Sequence, residues 1–396
     1  MTRHLLFCLS LCLLVSCDSR KSSSLSDTSL TVIDLSGDFP LRRIDLHDIF
    51  DVEYIPLETN EKSLLTNTCS TYFVSNDYII TADLIGGNIF FFNRSGKHLR
   101  TLNRRGDGGE EYSRCPLTVD FEAEECFVYD YFKKKNLVYD FQGVYKRTLA
   151  GPPQKSNFNF SNYDKNFLFG FNNLFDNVTQ SYPDEHPYYL VSKIDGSMQP
   201  IDLSVKKRMG SVVHSELVRY GNDSSIERTY FFITPLLENA SDLLVADFAL
   251  DTLYSFNDRK LTPIAVRTPS VRATDPPVIL SPFIYTDSLF CFEMMPYYYN
   301  PANPTEAYDK SRDLICDRRT GKIEEIEFYN SDFSTKSRNM RMGSIKSIVK
   351  NYCISWYSSE RLIDQYNAGL LKGKLKEVAS KLLIEDNDVL ILCKFK

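Results

Sequence analysis

The apolar positions of this chain come in short runs closed by a polar turn former, and the same arrangement returns along its length. Tyr78-Ile79-Ile80-Thr81-Ala82 ends at Asp83 and leads to Phe90-Phe91-Phe92-Asn93. Cys126-Phe127-Val128-Tyr129 ends at Asp130 and leads to Leu137-Val138-Tyr139-Asp140. Leu243-Leu244-Val245-Ala246 ends at Asp247 and leads to Leu253-Tyr254-Ser255-Phe256-Asn257. Runs of this length, bounded by turn formers, predict β-strands. Asn93-Arg94-Ser95-Gly96 and Asp140-Phe141-Gln142-Gly143 place a side-chain acceptor first and glycine fourth, which predicts type I turns between strands. Weaker copies are Tyr188 to Ile194 before Asp195-Gly196, and Asp313 to Cys316 before Asp317 to Gly321.

These turns begin at 93, 140, 195, 257 and 317, so they are 47, 55, 62 and 60 residues apart. A repeat of this size holding about four strands is a propeller blade. A sixth unit is expected between Asn351 and Lys396: a strand from Asn351 to Trp356, a helically spaced stripe from Glu360 to Leu383, and a last strand from Asp388 to Cys393. The stripe reads as core-facing, weakened by Gly369 and Gly373. Asp51 to Leu57 is an early strand, expected to join the C-terminal blade and shut the ring against open sheet edges. The predicted fold class is all-β: a six-bladed β-propeller over residues 31–396, with a C-terminal helical insertion in the last blade.

The first residues follow another logic. Arg3 and His4 precede an apolar run, Leu5 to Val15, broken only by Ser10. It is shorter than the ~20 residues a membrane-spanning helix needs, so residues 1–16 read as a signal peptide. Leu14-Val15-Ser16-Cys17 resembles the bacterial lipobox, which makes Cys17 the expected lipid attachment site and the membrane an expected partner. Residues 17–30 are Ser-rich and poor in apolar groups, as a flexible tether would be.

Composition sharpens this picture at three points. Aromatics reach 13%, nearly all of them Tyr (24) and Phe (27), which favours strands. The net charge is −6 with no basic stripe, so no nucleic-acid partner is expected. Beyond Cys8, Cys12 and Cys17, seven cysteines remain: Cys69, Cys115, Cys126, Cys291, Cys316, Cys353 and Cys393. None sits in a CxxC and most lie in apolar runs, so they read as small buried hydrophobes; a disulfide pairing cannot be read from the sequence.

Three segments carry a resemblance: Tyr54-Ile55-Pro56-Leu57-Glu58-Thr59, the Gly-rich stretch Arg104-Arg105-Gly106-Asp107-Gly108-Gly109-Glu110-Glu111-Tyr112, and Glu385-Asp386-Asn387-Asp388-Val389-Leu390-Ile391. Together the chain resembles the six-bladed β-propeller lipoproteins abundant in Bacteroidetes, related to NHL-repeat propellers and mostly without assigned functions. The proline usual in the Gly-rich stretch is absent. The resemblance implies an envelope protein anchored by lipid, at the outer membrane, periplasmic or surface-exposed.

Candidate chemistry is sparse. The Gly106 to Gly109 loop lacks the helix that a nucleotide-binding loop needs, so it is expected to be a blade-to-blade turn using glycine at positive φ. Asp83, Asp130 and Asp247 could face a cation together, but their repetition in each unit favours capping of their own turns. His47, His98, His186 and His214 are far apart and match no metal spacing, and no nucleophile elbow is present. No catalytic residue, metal or cofactor is expected. Tyr297, Tyr298 and Tyr299 sit in a Pro-rich insertion and are the candidate ligand-binding residues, since rings on a loop can stack on sugars or dock a partner. The expected function is a membrane-anchored, non-catalytic propeller that binds a glycan, peptide or envelope protein. The alternatives are a hydrolase or lyase with its site in the central channel, and a structural subunit of an envelope complex.

Overall fold

The computed structural model describes residues 30–69, 71–153, 157–176, 181–209, 212–220, 224–232, 235–238, 243–303, 305–335, 346–349 and 352–396. The segments read above as a signal peptide (1–16), the lipid site Cys17 and a tether (17–30) lie outside these, apart from Leu30. Antiparallel sheets follow one another along the chain as six blades. Blade 1 is Tyr72–Val74, Tyr78–Ala82, Asn88–Asn93 and His98–Asn103. Blade 2 runs from Leu117–Asp120 to Tyr145–Leu149, and blade 3 from Phe158–Asn162 to Met198–Pro200. Blade 4 runs from Leu236–Glu238 to Lys260–Thr268, and blade 5 from Val278–Tyr285 to Ile323–Tyr329. Blade 6 combines Lys346–Val349, Tyr352–Tyr357 and Val389–Phe395 with the early strand Phe50–Pro56. The first strands of neighbouring blades touch, as Leu117–Asp120 touches Phe158–Asn162 and Lys346–Val349 touches Tyr72–Val74, which places them on the inner ring.

Burial explains the pattern of the runs. In Asn88–Asn93 the residues Ile89 to Phe92 are all buried, because a middle strand packs a blade on each face. Such a strand cannot alternate; it must be apolar throughout. Burying each phenylalanine contributes about 1.5–3 kcal/mol, more than the net ~1 kcal/mol of one turn hydrogen bond. The outer strand His98–Asn103 has no such demand and holds no buried residue.

The ring closes as expected. Phe50–Pro56 pairs antiparallel with Val389–Phe395, with Ile55 opposite Leu390 and Val52 opposite Cys393. Two further N-terminal strands were not foreseen. Thr31–Asp34 adds in parallel to the outer strand of blade 4, and Leu41–Asp45 adds in parallel to that of blade 5. A hairpin, Val212–Tyr220 with Ser224–Phe232, stands between blades 3 and 4 and accounts for the long interval between the turns at 195 and 257.

The helical stripe is two helices in place of one. Ser359–Asn367 is capped by Ser358, whose side chain accepts from the Arg361 N–H, and it ends where Gly369 adopts φ +69°. Gly373–Ala379 follows. Leu362, Leu371, Leu375 and Ala379 bury into a core shared with Phe333 and Tyr357, so the stripe faces inward as its spacing implied.

Neighbouring blades are joined at the rim by one recurrent contact. The Glu58 N–H donates to Gly96 O (2.8 Å), Arg104 Nη2 to Gly143 O (3.0 Å) and the Ala150 N–H to Asp195 O (2.9 Å). In each case the exit of one blade meets the last turn of the next. Gly96 is at φ +85°, and a Cβ there would lie 2.2 Å from Pro56 O, so glycine serves both the turn and the contact. All seven described cysteines are buried free thiols.

Candidate functional site

Antiparallel order puts the link between blades and the loop after each second strand at the same end of the strands. The Asp83, Asp130 and Asp247 loops therefore share one end with the Gly-rich link, the Tyr297 loop and the two helices. Asp83 Oδ1 accepts from the N–H groups of Ile85 and Gly86 (3.0 and 2.8 Å). Asp130 Oδ1 accepts from Phe132 and Lys133 (3.0 and 2.9 Å), and its Oδ2 from the N–H and Oγ of Ser113. Asp247 Oδ1 accepts from the Ala249 N–H (3.0 Å) and Oδ2 from the Tyr188 hydroxyl (2.7 Å). Each carboxylate caps its own turn and reaches one neighbour. Burial pushes Asp130 up, but the bonds from Ser113, Lys133 and Phe132 outweigh it and hold the group below the ordinary range. For Asp247 burial dominates and raises it. Asp120, which the repeat did not single out, caps the turn at Glu122 and Ala123 and pairs with Lys193 of blade 3 at 2.6 Å, both side chains buried.

The Gly-rich link corrects one expectation. Gly106, Gly108 and Gly109 are not among the positive-φ residues. Glycine is needed at Gly106 for space: a Cβ there would lie 2.1 Å from Glu111 Oε2. The loop does hold an anion, but its own, since the Gly108 N–H donates to Glu111 Oε2 (2.8 Å). Lys133 Nζ donates to the Gly106 and Glu111 carbonyls, and Lys135 Nζ to that of Gly109. Tyr112, fully buried, donates to Gly87 O and accepts from the Arg104 N–H. The third family-like segment is equally structural. Buried Asn387 donates to the Glu58 and Ser63 carbonyls, accepts from the Leu65 N–H, and its own N–H donates to Thr59 Oγ1. It fastens the link between blades 6 and 1.

Along that seam a groove of about 560 Å³ opens between the end of Phe50–Pro56, the Ser95 to Lys97 turn of blade 1, and the Gly373–Ala379 helix with the residues after it. Tyr54, Leu57, Val378 and Leu382 supply apolar surface. Lys97, Lys374 and Lys381 stand exposed in its lining. Among the described residues, none of these three ammonium groups is paired. Of the three acids in the lining, Glu58 accepts from the His98 N–H (2.8 Å) and Asp386 from the Leu383 N–H (2.7 Å), while Glu377 is exposed and, among the described residues, its carboxylate has no partner.

A polar cluster borders the groove. The Tyr54 hydroxyl donates to Asp332 Oδ2 (2.7 Å) and accepts from Asn330 Nδ2 (2.7 Å); His47 Nε2 lies 3.2 Å from the same Oδ2. A catalytic relay would set the imidazole between carboxylate and hydroxyl. Here the carboxylate is in the middle, and burial together with Asp332 pushes the Tyr54 hydroxyl far above its usual range. The phenol stays protonated and acts as a donor. With the Lys372 N–H on Asp332 O (2.7 Å), the cluster clasps the closing strand to the helices.

The other singled-out residues are spread out. Tyr297, Tyr298 and Tyr299 are half-buried at the loop end; Tyr297 packs against Met209, Phe248 and Met295, and Lys310 Nζ lies 5.7 Å from the Tyr298 ring centre. His98 contacts Thr101, His186 is exposed, and His214 belongs to the hairpin strand Val212–Tyr220. Among the described residues, no three His, Cys, Asp or Glu side chains converge to hold a metal ion. The Tyr54 to Thr59 and Glu385 to Ile391 segments, the Asn93 to Gly96 turn and the Glu360 to Leu383 stripe all supply lining residues, but none of them was read as part of a groove. Its lysines carried no sequence signal.

The fold was compared with known proteins. A Bacteroides fragilis protein, named as a candidate exported protein, superposes with a TM-score of 0.60 at 14% identity, over 92% of this chain and 100% of its own. A member of the DUF4221 family from Bacteroides vulgatus gives 0.48 at 11% identity, over 88% and 97%. At such identities the likeness concerns the fold. No curated protein sequence matches the chain. A family model described as a domain of unknown function, DUF4934, matches residues 30–394.

Proposed function

The chain belongs to the DUF4934 family, and from that premise we propose that it is an exported, non-catalytic binding protein held at the outer membrane by lipid on Cys17. The apolar leader and the Leu14-Val15-Ser16-Cys17 box support export and anchoring, and the naming of the Bacteroides fragilis neighbour as a candidate exported protein accords with export. Among the described residues, no helix is long and apolar enough to cross a membrane. Cys17→Ala should move the protein from the membrane to the soluble envelope fraction. Membrane retention of the variant, measured by fractionation and immunoblot, would remove the anchor.

The observation behind the binding role is the seam groove: apolar surface and three unpaired cations against one unpaired acid, Glu377, on a closed ring. About 560 Å³ lies within the range of small-ligand and peptide sites. Tyr297, Tyr298 and Tyr299 add ring edges at the loop end. A glycan and peptide binding screen on the purified protein, followed by hydrogen exchange, is the test. A ligand that protects residues 54–59 and 374–386 upholds the reading; ligands that protect only other regions sink it.

A further inference from the structure

The proposal for this groove concerns its ligand class, and it rests on the binding role given above. Two of the six blades take an added strand on their outer edge. Blade 4 takes Thr31–Asp34 as an added parallel strand, and blade 5 takes Leu41–Asp45 in the same way. Blades 1, 2, 3 and 6 carry no such addition among the described residues, and of these only blade 6 opens onto the groove described above. Phe50–Pro56 is the last strand of its sheet, and no described strand pairs with its outer side.

The phase of that strand follows from one bond. The Leu57 N–H donates to Asp388 O, so Leu57, Ile55 and Glu53 turn their backbone groups inward to the sheet. Val52 and Tyr54 then turn theirs outward. Pro56 falls in the same outward phase, where its missing N–H costs the sheet nothing. The groove is bounded on one side by the Gly373–Ala379 helix and on the other by the Ser95 to Lys97 turn, with Tyr54 and Pro56 between them. The strand edge therefore forms its base.

We propose that this edge and groove take an extended, acidic segment of a partner protein, which adds in parallel to Phe50–Pro56 as the chain's own strands add to blades 4 and 5. Backbone hydrogen bonds at Val52 and Tyr54 hold the segment, as in other cases of strand addition. Alternate side chains select it. Its apolar side chains meet Leu57, Val378 and Leu382, and its carboxylates meet Lys97, Lys374 and Lys381. On a chain of net charge −6, three unpaired lysines against one unpaired acid, Glu377, give the partner its sign.

The test uses the full-length protein in detergent and a short fluorescein-labelled peptide alternating glutamate and valine, read by anisotropy. Binding should weaken steeply with added salt and fall about tenfold in a Lys374→Glu, Lys381→Glu double variant. Both substitutions are on exposed side chains, so folding is retained. A peptide alternating lysine and valine should not bind. N-methylation at alternate residues should abolish binding in one phase and spare it in the other. Equal binding of acidic and basic peptides, or indifference to N-methylation in both phases, overturns the proposal. So does a concentration-dependent dimer, seen by light scattering, that excludes the peptide; the groove would then belong to a second copy. If a screened ligand protects the groove while the acidic peptide fails, the binding role stands and this ligand class falls.

Discussion

Asp130 shows how much one side chain carries in this fold. One oxygen caps the turn at Phe132 and Lys133, and the other holds Ser113 at the entry to blade 2. Its folded carboxyl sits below the ordinary range. Its contribution to stability is therefore present above the unfolded value of about 3.9 and is lost as pH falls through the folded one. Asp247 runs the other way, because burial raises it. We expect the urea midpoint of the protein to drop between about pH 5 and about pH 3, and Asp130→Asn to reduce that drop while lowering stability at the higher pH. An unchanged pH profile in the variant would show that Asp130 does not drive it. The repetition of Asp at one place in three of the six units made its role readable beforehand. The opposite was true of Glu111: a single residue that fills a loop from within leaves no period to detect.

At the scale of elements, legibility followed burial. Middle strands such as Asn88–Asn93 are buried on both faces and stand out as apolar runs. Leu41–Asp45 buries only Ile44, and its Arg42 and Arg43 are exposed, so nothing in its pattern marks a strand. It is held by the edge it joins. The two helices were legible as one stripe because both bury the same side, while the break depends on a single backbone angle. Gly369 at φ +69° lets its own N–H reach Tyr366 O and the Leu370 N–H reach Gln365 O. A side chain there meets no clash, so the cost is conformational alone. Gly369→Ala should lower unfolding free energy by about 1 kcal/mol. Chemical denaturation would measure it, and no loss would mean that the second helix does not depend on this turn.

For the whole molecule, the recurring turn and the 47 to 62 residue intervals revealed the number of blades. They could not reveal the groove, whose lining comes from three separate segments that only closure brings together. Closure also makes the domain one cooperative body. Truncation before Asp388 removes Val389–Phe395 and both of its ladders, to Tyr352–Tyr357 and to Phe50–Pro56. Differential scanning calorimetry should then show the single transition replaced by broad or absent melting; an intact transition would mean that the other blades stand without the seal.

Thr31–Asp34, Leu41–Asp45 and Phe50–Pro56 all lie near the start of the chain, yet their partners are in blades 4, 5 and 6. On the export route proposed above, the leading end would cross first and wait, unpaired, for the trailing end to arrive. Such long-range pairing is slow and leaves sticky strands exposed meanwhile. On that route a holding chaperone would have its use between first entry and the arrival of the tail.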